Sequence, residues 1–201
     1  MCTLLSFISS DGGRTWEPGG RICDWGHEGG ITRTASGKLL AVIRYQRPLL
    51  TNDPRDLLES TGASRFNNSN PYKHVFLGDS QDDGRTWGNF RQLCTAYGQC
   101  YGYPAALSGG TVVVVHDHRY PRYLPGRAMV SHDEGQTWEN EVYLMYQGAA
   151  IAGYSESVVI EDDLILTIAG TSDHPEAVKT WNGATGHSDL TAIRWRPNTV
   201  S

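Results

Sequence analysis

Ser9–Trp16 reads SSDGGRTW, Ser80–Trp87 reads SQDDGRTW and Ser131–Trp138 reads SHDEGQTW. Five positions of the pattern Ser-x-Asp-x-Gly-x-Thr-Trp recur each time. With ordinary residue usage a single match arises by chance roughly once in a million start points. Three in 201 residues are therefore a repeat. The pattern has the chemistry of a tight turn. Asp11, Asp82 and Asp133 can accept hydrogen bonds from N–H groups a few residues on. Gly13, Gly84 and Gly135 can take a positive φ. Trp16, Trp87 and Trp138 are then set to pack the start of a returning strand against its neighbours.

The octapeptides resemble the Asp boxes of the sialidase superfamily of β-propellers. In that family the box joins the third and fourth strands of a four-stranded blade, on the face away from the active site. The resemblance implies an all-β fold of antiparallel blades, and it spans the whole of residues 1–201. Non-catalytic propellers that bind carbohydrate or protein share such boxes, so a binding module is the alternative to an enzyme.

Alternating apolar runs between Gly-rich turns mark the strands. Thr3–Ser9 leads into the first box and so reads as a third strand. A full blade follows at Gly30–Thr34, Lys38–Tyr45, His74–Ser80 and Asn89–Cys94. A second lies at Tyr103–Leu107, Thr111–His116, Arg127–Ser131 and Glu141–Tyr146. The last shows three strands, Ser155–Ile160, Leu164–Ala169 and Leu190–Arg196. The expectation is a propeller truncated to roughly three and a half of the six blades that the family's catalytic domains carry. Within this domain, residues 46–72, rich in Asn, Ser, Asp and Pro, read as a loop insertion. Unpaired strands at an open ring would invite self-association.

Composition narrows the function. The net charge is −5 with no basic run, which argues against nucleic acid as a partner. No stretch approaches the ~18 apolar residues of a membrane span. Of the 17 basic residues only Lys38, Lys73 and Lys179 are lysines. Arginine suits forked recognition of carboxylates, so this bias is compatible with an acidic ligand. The cysteines show no C-x-x-C pairing, which argues against a zinc site. His116 and His118 alternate along a strand and face one side, yet no third ligand stands at suitable spacing. No metal or other cofactor is expected, and His116, Asp117 and His118 read as lining the pocket or pairing with neighbouring arginines. No basic-then-apolar leader opens the chain. The expectation is a chain whose natural start lies upstream, from a secreted or periplasmic protein.

The resemblance becomes specific in four residues. Sialidases place a Glu some fifteen residues before the second arginine of a triad, and Glu28 precedes Arg44 in HEGGITRTASGKLLAVIR. The third arginine opens the strand that leads into a later box, as Arg127 does in GRAMVSHDEGQTW; Arg119 is the substitute if the register is shifted. The nucleophilic tyrosine comes about thirty residues later in a Tyr-Ser pair, matching Tyr154 in GYSESVVI. The resemblance thus implies a retaining exo-sialidase acting on an acidic glycan. Tyr154 would be its nucleophile, Glu28 the base that takes the phenol proton, and Arg44 and Arg127 the carboxylate binders. In a propeller, equivalent points on successive blades converge on the axis, so these four residues are expected to share one concave surface. The resemblance also implies a first arginine in an Arg-Ile-Pro type motif and an acid/base aspartate, both before the boxes. No residue here matches either, so a weakly active or inactive fragment is expected.

Overall fold

The computed structural model describes residues 2–61, 63–65, 70–95, 98–118, 124–138, 141–145, 154–171 and 189–198. Thirteen strands among them form four antiparallel sheets. The first sheet pairs β1 (Leu4–Ile8) with β2 (Glu17–Cys23). The second runs β3 (Glu28–Arg33), β4 (Leu39–Arg47), β5 (Tyr72–Ser80) and β6 (Gly88–Gln92) in simple succession. The third does the same with β7 (Gln99–Ala106), β8 (Val112–His118), β9 (Leu124–Ser131) and β10 (Val142–Leu144). The fourth holds β11 (Ser155–Glu161), β12 (Leu164–Thr171) and β13 (Asp189–Trp195). Each expected strand overlaps an observed one. The main differences are β2, which no expected strand covers, and β7 and β9, which begin four and three residues earlier than expected; β4 and β8 each run two residues further than the apolar pattern alone marks.

The sheets stack face to face, which explains the unbroken apolar runs. In β8 all four of Val112–Val115 are buried. Side chains alternate across a strand, so Val112 and Val114 join Leu40, Val42, Val75 and Leu77 from the second sheet. Val113 and Val115 turn the other way, onto Ile165, Val159 and Trp195 of the fourth. The second sheet is two-sided as well, with Ala41 and Ile43 meeting Ile22 and Cys23 of the first sheet. The leading strands β3, β7 and β11 touch one another in turn, as inner strands around a propeller axis do. At that crowded centre Gly102 is required, because a Cβ there would lie 2.8 Å from Val42 and 3.1 Å from Val114.

The three octapeptides form hairpin turns with matching hydrogen bonds, the first between the two strands of the first sheet and the others between the third and fourth strands of the second and third sheets. In the first, Asp11 Oδ1 accepts from the backbone N–H of Arg14 and of Thr15 at 3.0 Å each, and Asp11 Oδ2 accepts from the Thr15 hydroxyl at 2.7 Å. Asp133 repeats this with Gln136 and Thr137. These bonds hold the Asp11 carboxyl well below the usual range and the Asp82 carboxyl down to about 2. Gly13, Gly84 and Gly135 have φ of 87°, 84° and 85°. The preceding residue is also left-handed, even as Asp83 (57°) and Glu134 (56°), which the pattern did not foretell. The tryptophans share a bond from Nε1 to the glycine carbonyl, at 3.0–3.1 Å. Their expected packing role is graded: Trp138 is 4% exposed inside the core, whereas Trp16 is 61% exposed. The reason is position, since Trp16 belongs to the two-stranded first sheet.

Between β4 and β5, where the insertion was expected, the described part contains a one-turn helix α1 (Leu57–Ser60). Arg47 anchors it, pairing with both oxygens of Asp53 at 2.6 and 2.8 Å and lying 4.0 Å over the Tyr72 ring.

Candidate active site

Register fixes which end of the sheets is which. Leu39 pairs with Ser80, the first residue of an octapeptide, while Glu28 pairs with Arg44 at the opposite end of β3 and β4. Glu28 opens β3 and Arg44 lies near the close of β4, and the His27 N–H to Arg44 carbonyl bond of 2.9 Å continues the ladder there. Tyr154 immediately precedes β11, whose far end turns at Asp162–Asp163. Residues 28, 44 and 154 thus come from three strand ends on the side away from the octapeptides.

Their side chains meet. Tyr154 Oη donates to Glu28 Oε1 at 2.9 Å. Arg44 Nη1 donates to Glu28 Oε2 at 2.5 Å and to Tyr154 Oη at 3.3 Å. The Arg44 side chain is only 10% exposed and that of Glu28 37%. Burial raises the Tyr154 phenol above its ordinary pKa, and the bond and charge of Glu28 add to this; the Arg44 bond and charge pull the other way. Tyr101 of β7 forms one wall, its ring centroid 5.0 Å from that of Tyr154.

Arg127 lies on β9, paired in register with His116 of β8. Its Nε is buried and has no hydrogen-bond partner among the described residues. Its charge, together with that of His118 and above all burial, lowers the His116 pKa to about 4. His116 Nδ1–H donates to the Asp117 carbonyl at 2.9 Å. Arg119, the alternative for the third arginine, lies outside the described residues. Among the described residues no group of His, Cys, Asp and Glu side chains is arranged to hold a metal ion, and no helix is long and apolar enough to cross a membrane.

Gln46 and Lys73 are neighbours of the site that motif reading missed. Gln46 Oε1 accepts from Arg44 Nη2 and from Lys73 Nζ, each at 2.8 Å. The signal was present in the strand period, since Gln46 sits two residues past Arg44 and so shares its face. It went unused because residue 46 was assigned to the insertion.

Neither a protein-family model nor a curated sequence matches the chain. Its fold does match solved structures. An α-L-arabinanase of Penicillium chrysogenum, complexed with arabinobiose, superposes with a TM-score of 0.62 at 15% identity, over 96% of this chain and 55% of that one. The GH93 α-L-arabinofuranosidase of Fusarium graminearum gives 0.60 at 12% identity, over 96% and 54%. The intramolecular trans-sialidase of Ruminococcus gnavus, complexed with oseltamivir carboxylate, gives 0.58 at 14%, over 94% and 37%. The chain therefore has the β-propeller fold of these glycoside hydrolases and spans about half their length or less.

Proposed function

We propose that this chain carries part of the active site of a sialidase-like, retaining glycoside hydrolase that acts on an acidic glycan. The observation that supports this reading is the bond from Tyr154 Oη to Glu28 Oε1 at 2.9 Å. A phenol is an unusual nucleophile, because its ordinary pKa is about 10, and here burial raises it further. A phenolate is therefore scarce at neutral pH. A carboxylate already hydrogen-bonded to the phenol solves the problem by accepting its proton as the oxygen attacks the anomeric carbon, while the glycosidic C–O bond breaks and the aglycone leaves, taking a proton from solvent. Water then attacks the anomeric carbon of the glycosyl-tyrosine and loses its proton to solvent, and Glu28 returns the phenol proton to the departing Tyr154 oxygen. A tyrosine suits a sugar that carries its own carboxylate, since a neutral nucleophile approaches it without charge repulsion.

Arg127 supplies recognition in this reading. A half-buried arginine whose Nε meets no partner within the described protein is suited to a charge-assisted, forked bond to a carboxylate. Arg44 contributes a second positive charge beside the nucleophile. Arabinobiose, the sugar bound by the Penicillium neighbour, has no carboxylate to use either group.

The test is a titration of the folded protein with sialic acid and with arabinobiose, followed by NMR line shifts. Sialic acid is expected to bind in preference, and Arg127→Met to weaken it about 10- to 100-fold, the equivalent of one charged hydrogen bond or fork. Preference for arabinobiose, or unchanged acid binding by the Arg127 variant, would overturn the assignment.

A further inference from the structure

The Arg44 guanidinium is held from two sides. Nη1 is taken up by Glu28 and Tyr154, at 2.5 and 3.3 Å. Nη2 points the other way, to Gln46 Oε1 at 2.8 Å. The same Gln46 oxygen accepts from Lys73 Nζ at 2.8 Å. Lys73 is the cross-strand partner of Gln46 and is 2% exposed. The Gln46 carbonyl is fixed too, accepting from His27 Nε2 at 3.1 Å.

The geometry has a direct consequence. A guanidinium is planar, with its N–H groups in a rigid fork, so anchoring Nη2 sets the direction of Nη1. The charge-assisted bond from the Lys73 ammonium to the same oxygen helps keep Gln46 turned toward the fork. An arginine on a strand end would otherwise choose among several rotamers. Here it is directed at a phenol oxygen.

We propose that Gln46 is a positioning residue which, tied to Lys73, holds the Arg44 guanidinium against the Tyr154 hydroxyl, so that Arg44 serves the nucleophile as well as the substrate. The proposal rests on the reading of Tyr154 as the nucleophile. Glu28 removes the phenol proton, while the fixed charge of Arg44 stabilises the negative oxygen left behind. Among the described residues, the other groups at the phenol oppose ionisation or are neutral: Glu28 on β3 and the Tyr101 ring on β7. Arg44 is the cation among them that contacts the phenol, so its orientation governs how readily Tyr154 ionises.

The test reads phenol ionisation directly and needs no substrate. Tyr154 in the whole protein is acetylated with N-acetylimidazole at mildly alkaline pH, and its modification rate, which follows the phenolate fraction, is followed by peptide mass spectrometry. Wild type, Arg44→Met, Gln46→Met and the double variant form a cycle, with circular dichroism confirming the fold of each. Arg44→Met is expected to slow modification on the order of tenfold, one unit of phenol pKa for a unit charge at this range. Gln46→Met should slow it by a smaller factor. In the double variant the Gln46 change should add nothing, because it acts through Arg44. A Gln46 effect that is absent, or that persists undiminished without Arg44, would overturn the proposal. If a variant fails to fold, Gln46→Leu and Arg44→Gln replace it under the same criteria. A normal cycle with no sialic acid binding by wild type would instead mark failure of the sialidase reading alone.

Discussion

Two tryptophans in the same octapeptide pattern offer a controlled comparison of burial. Trp138 and Trp16 both donate from Nε1 to the carbonyl of the octapeptide glycine, at 3.0 and 3.1 Å. They differ in surroundings: Trp138 packs into the core with Leu40, Leu77 and Val112, whereas Trp16 is 61% exposed. Truncating a buried tryptophan to alanine costs about 3–5 kcal/mol, the transfer term plus the cavity. An exposed substitution falls within about 0.5 kcal/mol. The lost hydrogen bond is common to both and cancels in the difference, leaving about 3 kcal/mol or more between Trp138→Ala and Trp16→Ala. Urea denaturation followed by far-ultraviolet circular dichroism measures this, with midpoints compared at equal slope. Should Trp138→Ala prove unfolded without urea, Trp138→Phe against Trp16→Phe gives the same ordering. Equal costs at the two sites would refute the view that the octapeptide tryptophan stabilises through sheet packing.

Gly20→Ala should uncouple the first sheet from the second, because its Cβ would fall on the Arg85 carbonyl while its N–H already bonds Gly84 O at 2.9 Å; a lower melting temperature is expected, and an unchanged one counts against that joint. Acid should destabilise the fold in two stages. His74 and His116 have pKa values lowered by burial to about 4, so the unfolded chain binds more protons than the folded one and stability falls as pH drops from about 6.5 to 4. The depressed carboxyls of Asp82 and Asp133, at about 2, add a loss only as pH falls from near 4 toward 2. His116→Gln should reduce the first stage, leaving the share of His74, and should leave the second unchanged, as melting curves across pH will show. The exposed apolar rows Leu5–Phe7 on β1 and Val158–Ile160 on β11 should make the 201-residue polypeptide self-associate. Sedimentation velocity at rising concentration should show this, and Phe7→Lys with Val158→Lys should reduce it.

The fold was legible because its signals are local. An octapeptide turn contains its own partners within a few residues, so Asp11 and Thr15 can be paired from sequence alone. The run Val112–Val115 marked a strand; that both its faces are buried came from the structure. The strand ends were less legible: β4 continues to Arg47 because Gln46 and Arg47 are paired across the sheet with Lys73 and Tyr72, a long-range fact with no local mark. The meeting of Glu28, Arg44 and Tyr154 spans 126 residues. It was legible only through a family's order of residues, since nothing near Tyr154 in sequence points to Glu28. Tyr101 and the Gln46–Lys73 brace had no motif to mark them and came from side-chain geometry.

In the proposed reaction Tyr154, with Glu28, attacks the anomeric carbon of an acidic sugar. The most direct measurement treats the protein with a fluorinated sialosyl fluoride, whose leaving group needs little protonation, and identifies any adduct by intact and peptide mass spectrometry. A single glycosyl adduct on Tyr154 is expected, slowed by Glu28→Gln and absent in Tyr154→Phe. An adduct on another residue, or labelling that survives Tyr154→Phe, would contradict it.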